Sequence, residues 1–275
     1  MKKINLALVG ATGLVGGTIL KLLEERQFPV GQLYLFSSKR SAGERLKFKG
    51  REYVVEELKS DSFDRDIDIA LFAAGGAVSE RFAPLAAERG VRVIDNSSVF
   101  RMKEGIPLVV PEINPEDIKG ENIIANPNCS TTQSVIPLKA LYDKYGIKRI
   151  IFSTYQAVSG SGLGGLRDLE KGKVEFYPYQ IQHNALPHID SFLDNGYTKE
   201  EMKMIEETKK ILKDDKIGIT ATAVRIPVKY GHSVSINVEL KKSFKIEDIK
   251  KELRNFPGIK LYDNGAENIY PMPID

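Results

Sequence analysis

The opening stretch KINLALVGATGLVGGTILKLLEE leaves few folds open to this chain. A short apolar run at residues 3–9 is followed at once by Gly10, Gly13 and Gly16, and then by Leu14, Ile19, Leu22 and Leu23 at helical spacing. Strand, tight glycine turn and helix in that order form a unit whose helix start offers unpaired N–H groups to a pyrophosphate. A glycine triplet alone is weak evidence, and a turn without a ligand is the bland reading. Lodged between a strand and a helix, the triplet has the context the dinucleotide fingerprint requires. The stretch expected to hold a dinucleotide is Gly10, Thr12, Gly13, Leu14, Val15 and Gly16.

The first half continues in the same β-α-β texture. Apolar runs at 32–36 and 68–74 and VRVIDNSS read as buried strands, SERFAPLAAERG as a helix, and 45–58 as a hairpin or edge strands. A doubly wound parallel sheet of the Rossmann type is the expected fold. NAD binders carry an acid after the second strand to hold the ribose 2′-hydroxyl. Here Ser37, Ser38, Lys39, Arg40 and Ser41 stand there, with no acid before Glu44. Hydroxyls and cations suit a 2′-phosphate, so NADP(H) is the expected cofactor, with Ser38, Arg40 and Ser41 as contacts. A plain basic surface loop is the competing reading.

The second half is different. RIIFSTYQAVSGSG and ITATAVRIPVKYGHSVSINVEL are the Thr/Val/Ile-rich runs of antiparallel strands. An irregular stretch, KVEFYPYQIQHNALPHIDSF, and a charged helix from about Lys199 to Lys213 separate them. The expected organisation is therefore α/β: a nucleotide-binding domain at 1–128, and an α+β catalytic and dimerisation domain with a largely antiparallel sheet at 129–275. With 40 basic and 37 acidic residues spread along the chain, there is no electrostatic footprint for nucleic acid. No apolar run approaches the ~20 residues that span a bilayer, and no metal site is called for. The lone cysteine cannot close an internal disulfide, and a cytoplasmic location is expected.

That cysteine, Cys129, stands in NPNCSTTQ, after a Pro-Asn turn and at the start of an apparent helix. A lone cysteine is by default buried and inert. Polar neighbours and a helix N-terminus, which favours the thiolate, argue instead for a nucleophile.

GATGLVG, SSKRSAG, DNSSVFRM, VPEIN, NPNCSTTQ, EEMKMIEETKKIL and RIPVKYGHS, collinear from residue 4 to 275, together resemble the bacterial aspartate-semialdehyde dehydrogenases. The resemblance implies NADPH-dependent conversion of 4-aspartyl phosphate to L-aspartate 4-semialdehyde, on the route to lysine, threonine and methionine, by a homodimer formed largely through the second domain. It implies Cys129 as the nucleophile that forms a thioester, and His232, one of three histidines, as its acid–base partner. Asn128 matches a position beside the developing oxyanion, and Gln156 one that holds substrate near the thiol. Arg225 matches the carboxylate-binding arginine, Arg101 and Lys203 the phosphate contacts, and Glu200 the acid that meets the substrate ammonium. By spacing alone, Glu200 and Lys203 share a helix face and read as a solvent-exposed ion pair.

Two other readings stay open. N-acetyl-γ-glutamyl-phosphate reductases share the glycine loop and thioester chemistry, but generally carry Gly before the cysteine and Tyr after it, where Asn128 and Ser130 stand here. A non-catalytic cofactor-binding fragment is the second, because members of the resembled family usually continue past YPMPID through a further strand and a long helix. A short-chain dehydrogenase is discounted, since none of the eleven tyrosines has a lysine four residues later.

Overall fold

A computed structural model describes residues 2–273; Met1, and the Ile274 and Asp275 that end YPMPID, lie outside the described residues. The chain divides into two compact units, Met1–Val109 with Glu116–Pro127, and Val110–Pro115 with Asn128–Asp275.

The first unit opens with β1 (Ile4–Val9), α1 (Leu14–Glu25) and β2 (Val30–Ser37). A hairpin of β3 (Arg45–Phe48) and β4 (Arg51–Glu57) follows, then β5 (Ile69–Phe72), α2 (Gly76–Glu88), β6 (Arg92–Asp95) and β7 (Ile123–Ala125). These strands form one sheet in the order β3-β4-β2-β1-β5-β6-β7. Every pairing is parallel except β3 with β4 at the edge. Because both faces are covered, the central strands are apolar runs rather than alternating ones: Leu6, Leu8, Leu33 and Leu35 are buried against Leu20 of α1. The order reverses at β1, which has β2 on one side and β5 on the other. Ligands of such sheets bind outside the carboxyl ends of the strands at that reversal, and the glycine loop occupies that end of β1.

The second unit contains α3 (Cys129–Tyr145), β8 (Ile147–Gln156), α4 (Gly162–Lys171), α5 (Lys199–Leu212), β9 (Gly218–Arg225), β10 (Ser233–Leu240) and α6 (Ile246–Asn255). Its sheet runs β10-β8-β9. The antiparallel ladder is β10 with β8, and β9 joins the other edge of β8 in parallel. The long 219–240 run is thus two strands, separated by a connection at 226–232 that carries His232. Leu138, Ile150, Phe152, Met204, Ile205 and Ala221 make the core between the sheet and helices α3 and α5. The alternate residues Tyr155, Thr222, Ser235 and Asn237 are exposed, which is the period of two expected of a sheet covered on one face.

Helix α4 forms although the glycines of GSGLGG locally disfavour helix. The glycines there are required by close packing: a Cβ at Gly164 would strike the Phe176 ring, and one at Gly165 would lie 2.5 Å from the Tyr177 hydroxyl. Asp168 of α4, fully buried, accepts from the backbone N–H groups of Phe176 and Tyr177, both at 2.9 Å. Those bonds anchor the irregular stretch that follows. Among the described residues no helix is long and apolar enough to cross a membrane.

Candidate active site

In the first unit, the glycine loop and the end of β2 line a cleft of about 400 Å³. Gly10 has φ of +88° and lies so near Ala73 that a Cβ would come within 2.6 Å of its carbonyl oxygen. Gly16 is packed under the loop, where a side chain would run into the Gly10 carbonyl. Gly13 caps α1 with no side-chain hydrogen bond, which leaves the helix start to an incoming acceptor. The Thr12 and Ser37 hydroxyls, 2.8 Å apart, tie the loop to β2. Gly10, Thr12, Gly13, Ser38, Arg40 and Ser41 all line the cleft, as does Lys39. Leu14 and Val15 open α1 outside that lining, and Val15 is half exposed. A glycine cradle flanked by hydroxyls and two cations fits a phosphate-bearing dinucleotide.

Arg101 also belongs to the first unit. It is buried, and its guanidinium donates to the carbonyls of Asn126 (2.9 Å) and Asn96 (2.8 Å). It thereby braces the loop after β6 against the strand end leading toward Cys129.

The second unit contains the other expected residues. Cys129 is exposed at the first position of α3, not buried as a lone cysteine is by default. Asn128 caps that helix, its Oδ1 accepting from the N–H groups of Ser130 (2.9 Å) and Thr131 (3.2 Å). Its Nδ2 donates to Glu200 Oε1 at 2.8 Å, and Gln156 Nε2 donates to the same oxygen at 3.0 Å. Lys203 Nζ lies 3.2 Å from Glu200 Oε2 and 2.7 Å from Asp190 Oδ2.

The expected exposed ion pair is therefore corrected: Glu200 is 5% exposed and faces the helix that Cys129 opens. The cause is α5's position. A capping box between Thr198 and Glu201 starts the helix, and Glu201 also accepts from the Ala223 N–H of β9 at 3.0 Å. With α5 fixed so, residue 200 points inward. Burial works against the charged form of Glu200, but Lys203 and the amides of Gln156 and Asn128 outweigh it and hold the carboxyl below its ordinary value. Burial likewise disfavours the Lys203 ammonium, yet Glu200 and Asp190 raise its proton affinity.

A single peptide organises the remaining pair. The Ala157 N–H donates to His232 Nδ1 at 3.0 Å, while the Ala157 carbonyl accepts from Arg225 Nη1 at 2.6 Å. With Nδ1 an acceptor, the neutral ring carries its proton on Nε2. Burial and the Arg225 charge lower the proton affinity of His232, with Glu200 opposing them. Gly160 packs against both side chains, and a Cβ there would lie 2.9 Å from Arg225 Nη1. Gln133, one turn along α3 from Cys129, donates to the His232 carbonyl at 3.2 Å. Arg225 is 4% exposed and its Nε has no hydrogen-bond partner among the described residues, so an anionic ligand would complete a buried donor.

The sequence reading missed Asp190, Thr154, Ala157, Gln133 and Glu207. Thr154 donates to Gln156 Oε1 at 3.1 Å and so orients its amide. Helical spacing could have pointed to Glu207, which shares a face of α5 with Glu200 and Lys203. No local signal marks the others.

Two family models match this chain: "Semialdehyde dehydrogenase, NAD binding domain" over residues 5–121 and "Semialdehyde dehydrogenase, dimerisation domain" over residues 138–275. The aspartate-semialdehyde dehydrogenase of Aquifex aeolicus is 54% identical, covering 98% of this chain and 84% of its own length. That of Bacillus subtilis is 48% identical, covering 99% and 84%. Among solved structures, aspartate semialdehyde dehydrogenase II of Vibrio cholerae complexed with ASA superposes with a TM-score of 0.93 at 43% identity, covering all of this chain and 84% of that one. The enzyme of Candida albicans with NADP gives 0.75 at 27% identity, covering 93% and 77%. Similarity of this extent runs through both units, and the chain belongs to the aspartate-semialdehyde dehydrogenase family of oxidoreductases.

Proposed function

We propose that this chain converts L-4-aspartyl phosphate and NADPH to L-aspartate 4-semialdehyde, phosphate and NADP, reversibly, through a thioester on Cys129. The carrying observation is the buried Glu200 carboxylate hydrogen-bonded to Asn128 and Gln156, beside the helix that Cys129 opens. It is an anionic receptor for a substrate ammonium, and an N-acetylated substrate has no charge to offer it. Arg225, with its unpartnered buried Nε, receives the α-carboxylate. Lys203 and Arg101 are assigned to the phosphate, residues 1–128 to the cofactor, and 129–275 to catalysis and dimerisation.

The Cys129 thiolate attacks the acyl carbon, the carbon–oxygen bond to phosphate breaks, and a thioester remains. Ser38, Arg40 and Ser41 would hold the 2′-phosphate of NADPH, which when bound would supply the hydride that reduces the thioester. Asn128 lies beside the oxygen on which charge develops. His232, the acid–base partner, donates an Nε2–H hydrogen bond to that oxygen; as the carbonyl re-forms, the carbon–sulfur bond breaks, the Cys129 thiolate returns and the aldehyde leaves. A second proton on the ring would set Nδ1–H against the Ala157 N–H. The resting ring is therefore neutral.

The molecule acts in the cytoplasm, in lysine, threonine and methionine biosynthesis, as a homodimer. The exposed face of the β10-β8-β9 sheet, which lies in the part matched by the dimerisation model, receives the second copy. Sedimentation tests this, and a monomer at micromolar concentration would refute it. The function itself is tested in the reverse direction, by absorbance of the reduced nicotinamide with aspartate semialdehyde, NADP and phosphate. N-acetylglutamate semialdehyde runs in parallel. Phosphate-dependent reduction with the first substrate alone is expected, and preference for the acetylated substrate would overturn the assignment.

A further inference from the structure

Glu207 is 1% exposed in the middle of α5, among buried Met204, Ile205 and Thr208. A carboxylate in such a place is costly to desolvate, and an apolar residue would serve packing better. What it does there is specific. Its Oε2 accepts from the backbone N–H of Asn128 at 2.6 Å, across 79 residues of sequence. Seven residues earlier on the same helix face, Glu200 accepts from the side chain of the same asparagine.

Asn128 is thus gripped at both ends by one helix. Glu200 fixes the amide that caps α3, and Glu207 fixes the peptide entering the cap, where the backbone is extended at φ −55° and ψ 144°. Residue 129 begins at the point these two bonds define. The charge of Glu207 also lies at the positive end of the α3 dipole, which reduces the cost of its burial.

We propose that Glu207 is a positioning residue that sets the Cys129 turn through the Asn128 N–H, so that the thiol meets the acyl carbon while Asn128 faces the oxygen. The inference rests on the thioester mechanism above. Positioning of this kind acts on the reaction step more than on ground-state binding.

The test compares Glu207→Gln with Glu207→Met, two neutral side chains of similar size that differ in the acceptor oxygen. Glu207→Gln is expected to keep kcat within about threefold of wild type. Glu207→Met is expected to lose roughly tenfold or more in kcat, with KM for aspartate semialdehyde and for NADP within about twofold. Because Cys129 is the single cysteine, iodoacetamide labelling followed by mass gives an independent reading. The Met variant should label more slowly than the Gln variant. Equal kcat and equal labelling in the two folded proteins would overturn the proposal. Should wild type show no turnover at all, the assigned function fails, while the labelling rates still decide the role of Glu207. If the Met variant does not fold, Glu207→Asp, which keeps the charge but shortens the reach, replaces it with the same expected loss.

Discussion

The cofactor cleft of the first unit is written in short contiguous stretches, Gly10–Gly16 and Ser37–Ser41. The polar cluster of the second unit joins residues 44, 72, 75 and 79 apart in sequence. The two sites fail in different ways. In the first, backbone shape is proposed to carry recognition, with single side chains at the rim tuning it. In the second, Asn128, Gln156, Glu200 and Lys203 are joined through their side chains, and Arg225 and His232 share one backbone peptide, so one substitution reaches several partners. Alterations in one unit should therefore leave the other's readout intact.

The sharpest separation comes from Cys129→Ser. Turnover should fall by at least about 10⁴-fold, because the hydroxyl is a far weaker nucleophile at neutral pH. NADP affinity, measured by fluorescence titration, should stay within about twofold, since the cleft residues belong to the other unit. Loss of both readouts would break the proposed division.

Arg225→Met comes next. It removes the bond to the Ala157 carbonyl together with the unpartnered Nε. A fall of about 10²-fold in kcat/KM for aspartate semialdehyde is expected, mostly in KM, as for the loss of a charge-assisted contact. An unchanged KM would contradict its assignment to the carboxylate.

What could be read from the sequence divides along the same line. The parallel sheet and its glycine loop were legible because strand, turn and helix follow one another locally, and Gly10 and Gly16 have steric reasons that a fingerprint records. The helix opened by Cys129 was legible from Asn128 and the polar run after it. The inward face of α5 was not: Glu200 and Lys203 have the spacing of any surface ion pair, and only the tie from Glu201 to Ala223 turns that face inward. Nor was α4, whose glycines argue against helix locally and are demanded by contacts with Phe176 and Tyr177. The Ala157 peptide, which holds Arg225 and His232 through main-chain atoms, leaves no mark in the residue type at all.

Smaller effects sharpen the comparison at the cofactor rim. Arg40→Ala should raise KM for NADP by roughly tenfold and change KM for NAD little, because one exposed phosphate contact is lost while the glycine cradle remains. A parallel rise for both dinucleotides would place Arg40 against another part of the cofactor.

The finest test concerns His232. Its proton affinity is below the ordinary imidazole value of 6.5, through burial and Arg225. Between that lower value and 6.5, the unfolded chain takes up a proton that the folded protein declines. Stability from this residue is therefore complete above pH 6.5 and declines as pH falls through that window. Glu200, whose carboxyl is held below 4.5, acts only at lower pH, so the two contributions separate. Urea midpoints of wild type and His232→Gln should converge as pH drops from neutrality toward 5, by a small margin set by one proton. In labelled protein, a histidine resonance titrating below 6.5 should be present and should vanish in the Gln variant. Were His232 to titrate at or above 6.5, burial and the Arg225 charge would not be acting on it as the folded arrangement requires, and the second unit's site would be more open than its hydrogen bonds describe.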